Sequence, residues 1–282
     1  MQDFSTEQAV LKIMETPEGR DLAYLCYYEW DVANAYRRFI KSEEWAALSA
    51  LLKKYRPPLK RALDLGAGNG IGSYALSQSG FLVTSLEPDP SELTGYGAIQ
   101  KFKNFEAVSI DSVSGYGENL PFKKDTFGLV YVRQALHHAT DLGLTMSEIS
   151  RVLAPGGILI ATREHIIDDQ KSLGIFLENH ALHKYTHGEH AYMLEEYLRA
   201  LNEADLKLEK LFLSWDSVIN HYPATNKAVK EKFRKSLIDR YGRAGILFGY
   251  ISPLEKAYRH SRSKDDLLPG RMISLVARAN RK

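Results

Sequence analysis

Hydrophobic positions recur at helical spacing through the first 55 residues and then change to short apolar runs. Apolar residues three and four apart predict helices over residues 7–15 and 20–55. Ser42 precedes an apolar run that starts at Trp45, so we expect it to cap a helix. The pair Pro57 and Pro58 ends this helical region, because proline lacks a backbone N–H and restricts the preceding residue.

From residue 61 onward the pattern alternates between strands and helices. Strands are predicted at residues 61–65, 81–86, 107–110, 126–132 and 158–162, and helices at 71–79, 91–102 and 141–153. The strand runs are apolar throughout, which is typical of strands covered on both faces. The chain is therefore predicted to be an α/β protein, with a mostly parallel sheet and helices on both faces.

The regularity weakens after the fifth predicted strand. A polar, histidine-bearing stretch precedes a predicted helix at 194–204 and strands at 206–214 and 272–279. The segment between the last two strands is too long for a plain loop and predicts inserted helices that cover a site. We expect three parts, namely a helical cap (1–57), a cofactor-binding core (58–165), and an acceptor-site segment with the insertion and closing strands (166–282).

The composition is that of a soluble globular protein, with 282 residues, 44% apolar and 26% charged. No apolar run reaches the length of about 18 residues that indicates a membrane span. The first residues lack a basic region followed by an apolar one, so a cytoplasmic location is expected. Cys26 is the single cysteine, and its apolar, aromatic neighbours favour a buried structural thiol.

Charge is unevenly distributed along the chain. Residues 226–282 hold 15 Lys/Arg against 5 Asp/Glu, and the first 225 residues hold 22 against 30. A basic region of this kind could face phosphate, an acidic substrate or a membrane surface. Its charges alternate with Phe233, Leu237, Ile238 and Tyr241, which is equally typical of a solvated amphipathic helix. An acidic acceptor remains one of the open alternatives.

A glycine-rich turn follows the strand at 61–65. Gly66, Gly68 and Gly70 let the backbone turn tightly and approach a ligand, and the helix that follows directs N–H groups at it. Glu87 ends the next strand, where a carboxylate can accept hydrogen bonds from a ribose. Asp64 would repel a pyrophosphate but attracts a sulfonium and an ammonium group. The pattern therefore favours S-adenosylmethionine over a nicotinamide cofactor.

At this point the chain resembles the class I S-adenosylmethionine-dependent methyltransferases, in particular the branch that acts on small molecules and includes quinone-methylating enzymes. The resemblance covers roughly residues 58–165. Its motifs are Asp64 to Gly70, Glu87 to Asp89, Glu118 to Phe122 followed by Asp125 to Val130, Arg133 to His138, and Arg151 to Gly157. It implies a Rossmann-like fold of seven strands.

The resemblance also implies most of the cofactor-binding residues. From the core these are Asp64, Gly66, Ala67, Gly68, Gly70, Glu87, Pro88, Glu118, Asn119, Arg133 and Gln134. Helices such as the N-terminal ones also cover the cofactor in this family, which adds Tyr28 and Arg37. Two positions depart from the family pattern. Gly115, Tyr116 and Gly117 stand where an acid of the family often binds the adenine amine. Stacking of Tyr116 on the adenine, or a contact from Asp111 or Glu118, could replace that interaction. The second departure is Gly128, which stands where the family usually has an aspartate.

Acceptor chemistry is expected at the carboxyl ends of the fourth and fifth strands, where ligands bind in such sheets. Methyl transfer from a sulfonium requires an in-line approach, and a hydroxyl acceptor additionally needs a base. We expect His165 to be that base, in a catalytic cluster with Arg163 and Glu164. The pair His137 and His138 recurs in the resembling family, where it usually shapes the fold or packs near the cofactor.

Histidines at three- and four-residue spacing follow the fifth strand, at His180, His183, His187 and His190, with Glu189 among them. Imidazoles at this spacing can share a helical face and hold a metal, but a wall of the acceptor site is the favoured interpretation, and no metal is expected. The predicted substrate-binding residues are His138, His180, His183, His190, Tyr192 and Tyr222.

These patterns predict an enzyme that moves a methyl group from S-adenosylmethionine to a small molecule, with oxygen as the favoured acceptor. The alternatives are a catalytically silent cofactor-binding module, or an RNA or protein methyltransferase that uses the basic C-terminal region. DNA is not expected as a partner, because Val132 to Ala135 lack the Asn/Asp-Pro-Pro-Tyr/Phe motif of adenine-methylating enzymes.

Overall fold

The computed structural model describes residues 4–103, 110–186 and 189–281. Its single sheet contains β1 (Arg61–Leu65), β2 (Leu82–Leu86), β3 (Ile110–Val113), β4 (Phe127–Arg133), β5 (Leu153–Ile167), β6 (Tyr192–Met193), β7 (Leu206–Phe212) and β8 (Arg271–Ala279). The strand order is β3-β2-β1-β4-β5-β8-β7, with β6 paired to β5. β8 runs antiparallel to both of its neighbours, β5 and β7, and the other strand pairs are parallel. The predicted α/β class is confirmed; the short β6 makes eight strands where seven were predicted.

The helices of the described chain are α1 (Thr6–Ile13), α2 (Pro17–Leu25), α3 (Val32–Ile40), α4 (Glu43–Tyr55), α5 (Ile71–Gln78), α6 (Tyr96–Lys103), α7 (Leu142–Val152), α8 (Gln170–Asn179), α9 (Leu194–Glu203), α10 (Val218–His221), α11 (Asn226–Tyr241), α12 (Arg243–Phe248) and α13 (Ser252–Lys264). A 3₁₀ turn at Leu136–His138 follows β4. The stretch predicted as helical at 20–55 contains three helices, and Ser42 caps the third by accepting the Trp45 N–H at 3.0 Å.

Two apolar layers cover the two faces of the sheet. On one face, Phe39 and Leu48 from the N-terminal helices share a buried cluster with Ile158 and Ile160 of β5. On the other face, α7 and α9 pack against β5 through a cluster that includes Met146, Ile149, Tyr197, Leu159 and Ala161. The helices before residue 57 therefore contribute to the same core as the strands, and they close one side of the sheet.

A bulge interrupts β5 where it leaves the core. Between the pairs Ala161–Leu275 and Glu164–Ile273, β5 advances three residues while β8 advances two. Arg163 lies in the bulge with φ +60°, and its N–H donates to Ser274 Oγ at 3.1 Å. The predicted strand end at residue 162 is wrong, because pairing with β8 carries β5 on to Ile167.

The long segment between β7 and β8 forms α10 to α13, as the sequence predicts. Part of its positive charge is engaged internally, since Arg259 of α13 is buried and donates to Glu255 and Asn226. Phe233 is buried in α11, whereas Ile238 and Tyr241 of that helix are exposed. Among the described residues, no helix is both long and apolar enough to cross a membrane.

Candidate functional site

A cavity of about 430 Å³ opens at the carboxyl ends of β1, β2, β4 and β5. This volume lies within the range of roughly 300 to 1,000 Å³ that is typical of small-molecule sites. Predicted site residues that line it are Tyr28, Asp64, Gly66, Ala67, Gly68, Glu87, Pro88, Glu118, Arg133, Gln134, His138, His165 and His180. Residues from four strand ends and from the N-terminal helices thus meet around one space.

The turn after β1 brings backbone directly against the cavity. Gly66 has φ +66°, and a Cβ built on it would lie 2.4 Å from the Cβ of Ala135, so no larger residue fits. The N–H groups of Gly66 and Ala67 donate to Leu86 O at 2.9 and 3.1 Å. The Gly68 N–H donates to Glu87 Oε2 at 2.7 Å. This turn is therefore fixed to the end of β2.

Glu87 and Asp64 are two carboxylates at the same end of the cavity. Glu87 Oε1 accepts the Asp89 N–H at 2.9 Å, and burial raises the pKa of this carboxyl. Asp64 accepts the Ser73 hydroxyl at 2.6 Å and is 2% exposed. Burial raises the pKa of Asp64 to about 7. Among the described residues, no Lys or Arg forms an ion pair with Asp64; Arg133, which is paired with Glu44, acts on this carboxylate only as a smaller, opposing influence on its pKa.

Arg133 at the end of β4 is paired with a helix of the N-terminal cap. Its Nε and Nη2 donate to the two carboxylate oxygens of Glu44 at 2.8 and 3.2 Å, and Glu44 is 1% exposed. Such a forked pair fixes both groups. The guanidinium lines the cavity but is held by α4, which joins the cap to the strand end.

His137, His138, His165 and His180 also line the cavity, and we call this group the histidine end. His137 and His138 lie in the 3₁₀ turn after β4, with ring centroids 4.1 Å apart. The buried Glu164 accepts the N–H groups of Ala135 and His137 at 3.2 and 3.1 Å, and its Oε2 lies 2.8 Å from His137 Nδ1. Glu164 therefore orients His137 and the turn, and it does not line the cavity.

His165 lines the cavity beside His137, with the two rings 4.8 Å apart and nearly perpendicular. Its Nδ1 donates to Gly270 O at 2.5 Å, which leaves Nε2 as the nitrogen with a lone pair. Burial, reinforced by the neighbouring imidazole of His137, lowers the pKa of His165 to about 3. The imidazole is consequently neutral at physiological pH.

Several predicted site residues lie outside the cavity lining. Arg163 donates to Ile219 O and Tyr222 O at 2.9 and 3.0 Å, so it anchors α10. Tyr222 stacks on Tyr27, and Tyr192 donates to Ala139 O. The remaining residues in this group are Gly70, Arg37, Asn119, His183 and His190; His187, which we considered for a metal, lies outside the described residues.

Other cavity residues were not among the predicted site residues. Asn69 donates to Tyr27 O at 2.8 Å and accepts the Tyr36 hydroxyl, so it fastens the glycine turn to the cap. Glu189 reaches the histidine end through a side chain that is only 8% exposed. Cys26 also lines the cavity, and burial raises the pKa of its thiol. For Asn69, its place inside the glycine-rich turn was an available signal.

Comparisons with known proteins bear on the domain type and on the fold. Residues 63–161 match the family model described as a methyltransferase domain. The ubiquinone biosynthesis O-methyltransferase of Rhizobium leguminosarum bv. trifolii is 25% identical over 132 residues, 47% of this chain and 51% of that protein. The chain spans about half the length of the curated relatives that it matches.

Two solved structures share the fold at low identity. A geranyl diphosphate methyltransferase in complex with S-adenosylmethionine is 16% identical with a TM-score of 0.53, covering 83% of this chain and 84% of that one. The phosphoethanolamine N-methyltransferase 2 of Haemonchus contortus, also in complex with this cofactor, is 19% identical with a TM-score of 0.54, covering 93% and 60%. At such identity the likeness establishes the fold.

Proposed function

We propose, from a chain whose fold and matched domain are those of the class I S-adenosylmethionine-dependent methyltransferases, that it methylates an oxygen atom of a small molecule. The observation that carries the proposal is a single cavity lined by two chemically different groups of residues. The first end, as we name it, is the glycine turn with Asp64 and Glu87, and the second is the histidine end. A cofactor and an acceptor would therefore meet inside one cavity.

The residues of the first end fit a cationic adenosine cofactor. Backbone at Gly66 and Gly68 leaves room that a side chain would fill, and Glu87 can accept hydrogen bonds from ribose hydroxyls. Asp64 is a buried carboxylate that forms no ion pair among the described residues, so a sulfonium or ammonium group would balance its charge. Tyr116, 69% exposed at the cavity edge, is available to cover the adenine.

The second end supplies what an oxygen acceptor requires. When bound, S-adenosylmethionine supplies a methyl group on a cationic sulfur. A lone pair of the acceptor displaces the sulfur from the methyl carbon, and the sulfur leaves as a neutral thioether. The chain must hold the acceptor oxygen in line with the sulfonium methyl group and exclude water from it. The Nε2 lone pair of His165 would receive the hydroxyl proton while the oxygen forms its new bond to carbon.

The low pKa of His165 limits this role to acceptors whose hydroxyl is acidic or made acidic in the site. Phenolic and enolic hydroxyls meet that requirement better than alkyl alcohols do. A protonated imidazole would repel the cationic sulfonium, whereas a neutral imidazole does not. We therefore propose an acidic hydroxyl as the acceptor group.

Two measurements test the proposal. Calorimetry with S-adenosylmethionine, its demethylated product and NAD should show binding of the first two; tight NAD binding without sulfonium binding would refute it. Transfer of labelled methyl groups should then be followed into small molecules, RNA and protein of a cell extract. Label in the small-molecule fraction supports the proposal, label in RNA or protein favours the basic-tail alternative, and tight binding without transfer favours a silent module.

A further inference from the structure

Three side chains at the histidine end bring metal-binding atoms together from two distant parts of the chain. One ligand atom each of His137, His138 and Glu189 lies within 4.8 Å of the other two. Atoms bound to one tetrahedral ion at bonds of about 2.0 to 2.2 Å lie about 3.4 Å apart. Movements of about an ångström would therefore complete three protein ligands. From the sequence we favoured an acceptor-site wall over a metal for the histidines of residues 180–190, and the structure adds His137 and His138 from the turn after β4.

The carboxylate of Glu189 has an unusual environment for a buried acid. Its side chain is 8% exposed, and Oε2 lies 4.0 Å from His138 Nε2 and 3.8 Å from His180 Nδ1. Among the described residues, no Lys or Arg forms an ion pair with it. A negative charge that is largely removed from water and that forms no ion pair with Lys or Arg among the described residues is stabilised by a cation.

His180 supplies an independent sign of a missing partner. Its Nδ1 is buried and has no hydrogen-bond partner among the described residues. A buried polar nitrogen without a partner costs about 1 to 3 kcal/mol, so such atoms usually mark a bound water, ion or ligand. The imidazole ring of His180 lies 5.9 Å from that of the cavity residue His165.

The contact between Glu164 and His137 is the kind of outer contact that metal-binding histidines make. Glu164 accepts two backbone N–H groups, so its carboxylate acts as a hydrogen-bond acceptor here. His137 Nδ1, 2.8 Å away, is therefore the donor in its contact with Glu164. Nε2 then carries the lone pair, on a ring that lines the cavity. A carboxylate that orients a histidine in this way raises its basicity as a ligand.

We propose that His137, His138 and Glu189, with His180 beside them, bind one divalent transition-metal ion at the acceptor end of the cavity. Two histidines and one carboxylate are a ligand set of catalytic zinc and non-haem iron sites, which keep a position open for substrate. The open position would take the acceptor oxygen and lower the pKa of its hydroxyl. This last step rests on the proposed function; ion binding does not.

The test measures ion binding apart from methyl transfer. The metal-stripped full chain is titrated with Zn²⁺ by calorimetry, and with Co²⁺ by visible absorption, which reports tetrahedral coordination. We expect one ion per chain. Glu189→Gln and His138→Gln should weaken Zn²⁺ binding by more than tenfold, and Glu164→Gln by about 10- to 100-fold. The matched control is His260→Gln: His260 is an exposed residue of α13, 3.5 Å from Asp216, and this variant should bind Zn²⁺ like the parent chain.

The outcomes separate this proposal from the proposed function. Equal Zn²⁺ binding by the parent chain, Glu189→Gln and His138→Gln, or the absence of stoichiometric binding, would overturn the metal site even if methyl transfer were found. Stoichiometric binding that these variants lose would support it even if no acceptor were methylated. Because Glu164→Gln alters a buried group, the circular dichroism and thermal unfolding of this variant are compared with those of the parent chain. His138 is exposed, so Zn²⁺ binding by His138→Gln tests the metal site without a change in the buried core.

Discussion

Glu87 Oε2 lies 2.7 Å from the Gly68 amide nitrogen, so the acid that ends β2 holds the turn that follows β1. Two strand ends are thereby joined by a side chain that also faces the cavity. Glu87 would therefore have two roles. Its carboxylate would bind the ribose of the cofactor, and the same carboxylate fixes the glycine turn. Removing the side chain would disturb both.

We predict that Glu87→Ala weakens S-adenosylmethionine binding about 10- to 100-fold, since hydrogen bonds to a charged group contribute about 1.5 to 3 kcal/mol. Calorimetry measures the change. Glu92→Ala is the control, because Glu92 is exposed and paired with Lys101 at 2.6 Å. Equal affinity of Glu87→Ala and the parent would remove Glu87 from the ribose site.

Asp64 should make cofactor binding depend on pH. Its pKa in the folded chain is raised by burial to about 7, and a cationic ligand prefers the ionised carboxylate. Affinity should therefore rise between pH 6 and pH 8, by about tenfold for each pH unit below 7. In Asp64→Asn that dependence should disappear. A parent chain whose affinity is flat over this range would contradict the prediction.

The same pKa has a consequence for the unliganded chain. A carboxyl whose folded pKa lies above its unfolded value of 3.8 stabilises the fold at low pH and loses that contribution as pH rises to about 7. We expect Asp64→Asn to flatten this part of the stability profile, measured by urea unfolding between pH 4 and pH 8. A parent profile that matches the variant's throughout would show that burial does not raise the Asp64 pKa.

The pair of Arg133 and Glu44 should be costly to break from one side. Arg133→Met leaves a buried carboxylate without its partner and should lower the free energy of unfolding by about 3 to 5 kcal/mol. Adding Glu44→Gln should recover much of that loss. Chemical denaturation of the two single variants and the double variant gives the coupling; additive effects would mean that the pair does not act as a unit. Breaking the exposed Lys101–Glu92 pair should cost less than about 1 kcal/mol.

His165→Gln should lower kcat by about 10²-fold or more while the cofactor affinity stays unchanged, because general-base catalysis contributes about 10² to 10⁴. A change in KM alone would indicate that His165 only positions the acceptor. Steady-state kinetics on an identified acceptor, with calorimetry for the cofactor, separates the two. His260→Gln, on the exposed face of α13, should keep full activity.

Local patterns predicted most of the fold. The Ser42 cap, β1 and the helix that begins at Ile71 lie where the residue types place them, because their signals sit within a few neighbouring residues. The glycine turn and Glu87 were predicted for the same reason, as both follow directly from strands. Their meeting in space follows from the parallel order of β1 and β2.

Contacts between distant segments were not predictable in this way. Glu44 and Arg133 are 89 residues apart, and nothing near either residue indicates its partner. Glu164 was expected in the catalytic cluster, but its partners are backbone N–H groups of a turn 27 to 29 residues earlier. Glu189 was seen only as a neighbour of histidines in sequence, whereas the structure adds His137 from the end of β4.

The bulge at Arg163 changes which residues of β5 share a side of the sheet. Before it, the odd-numbered Leu159 and Ala161 belong to one buried cluster; after it, the even-numbered Ile166 belongs to that same cluster. One inserted residue therefore shifts by one position the alternation of side chains between the two faces of the sheet. The part of β5 before the bulge lies in the core. The part after it also carries Glu164 and His165, which lie at the histidine end. Deleting that single position would exchange the directions of Glu164 and His165 without altering either residue.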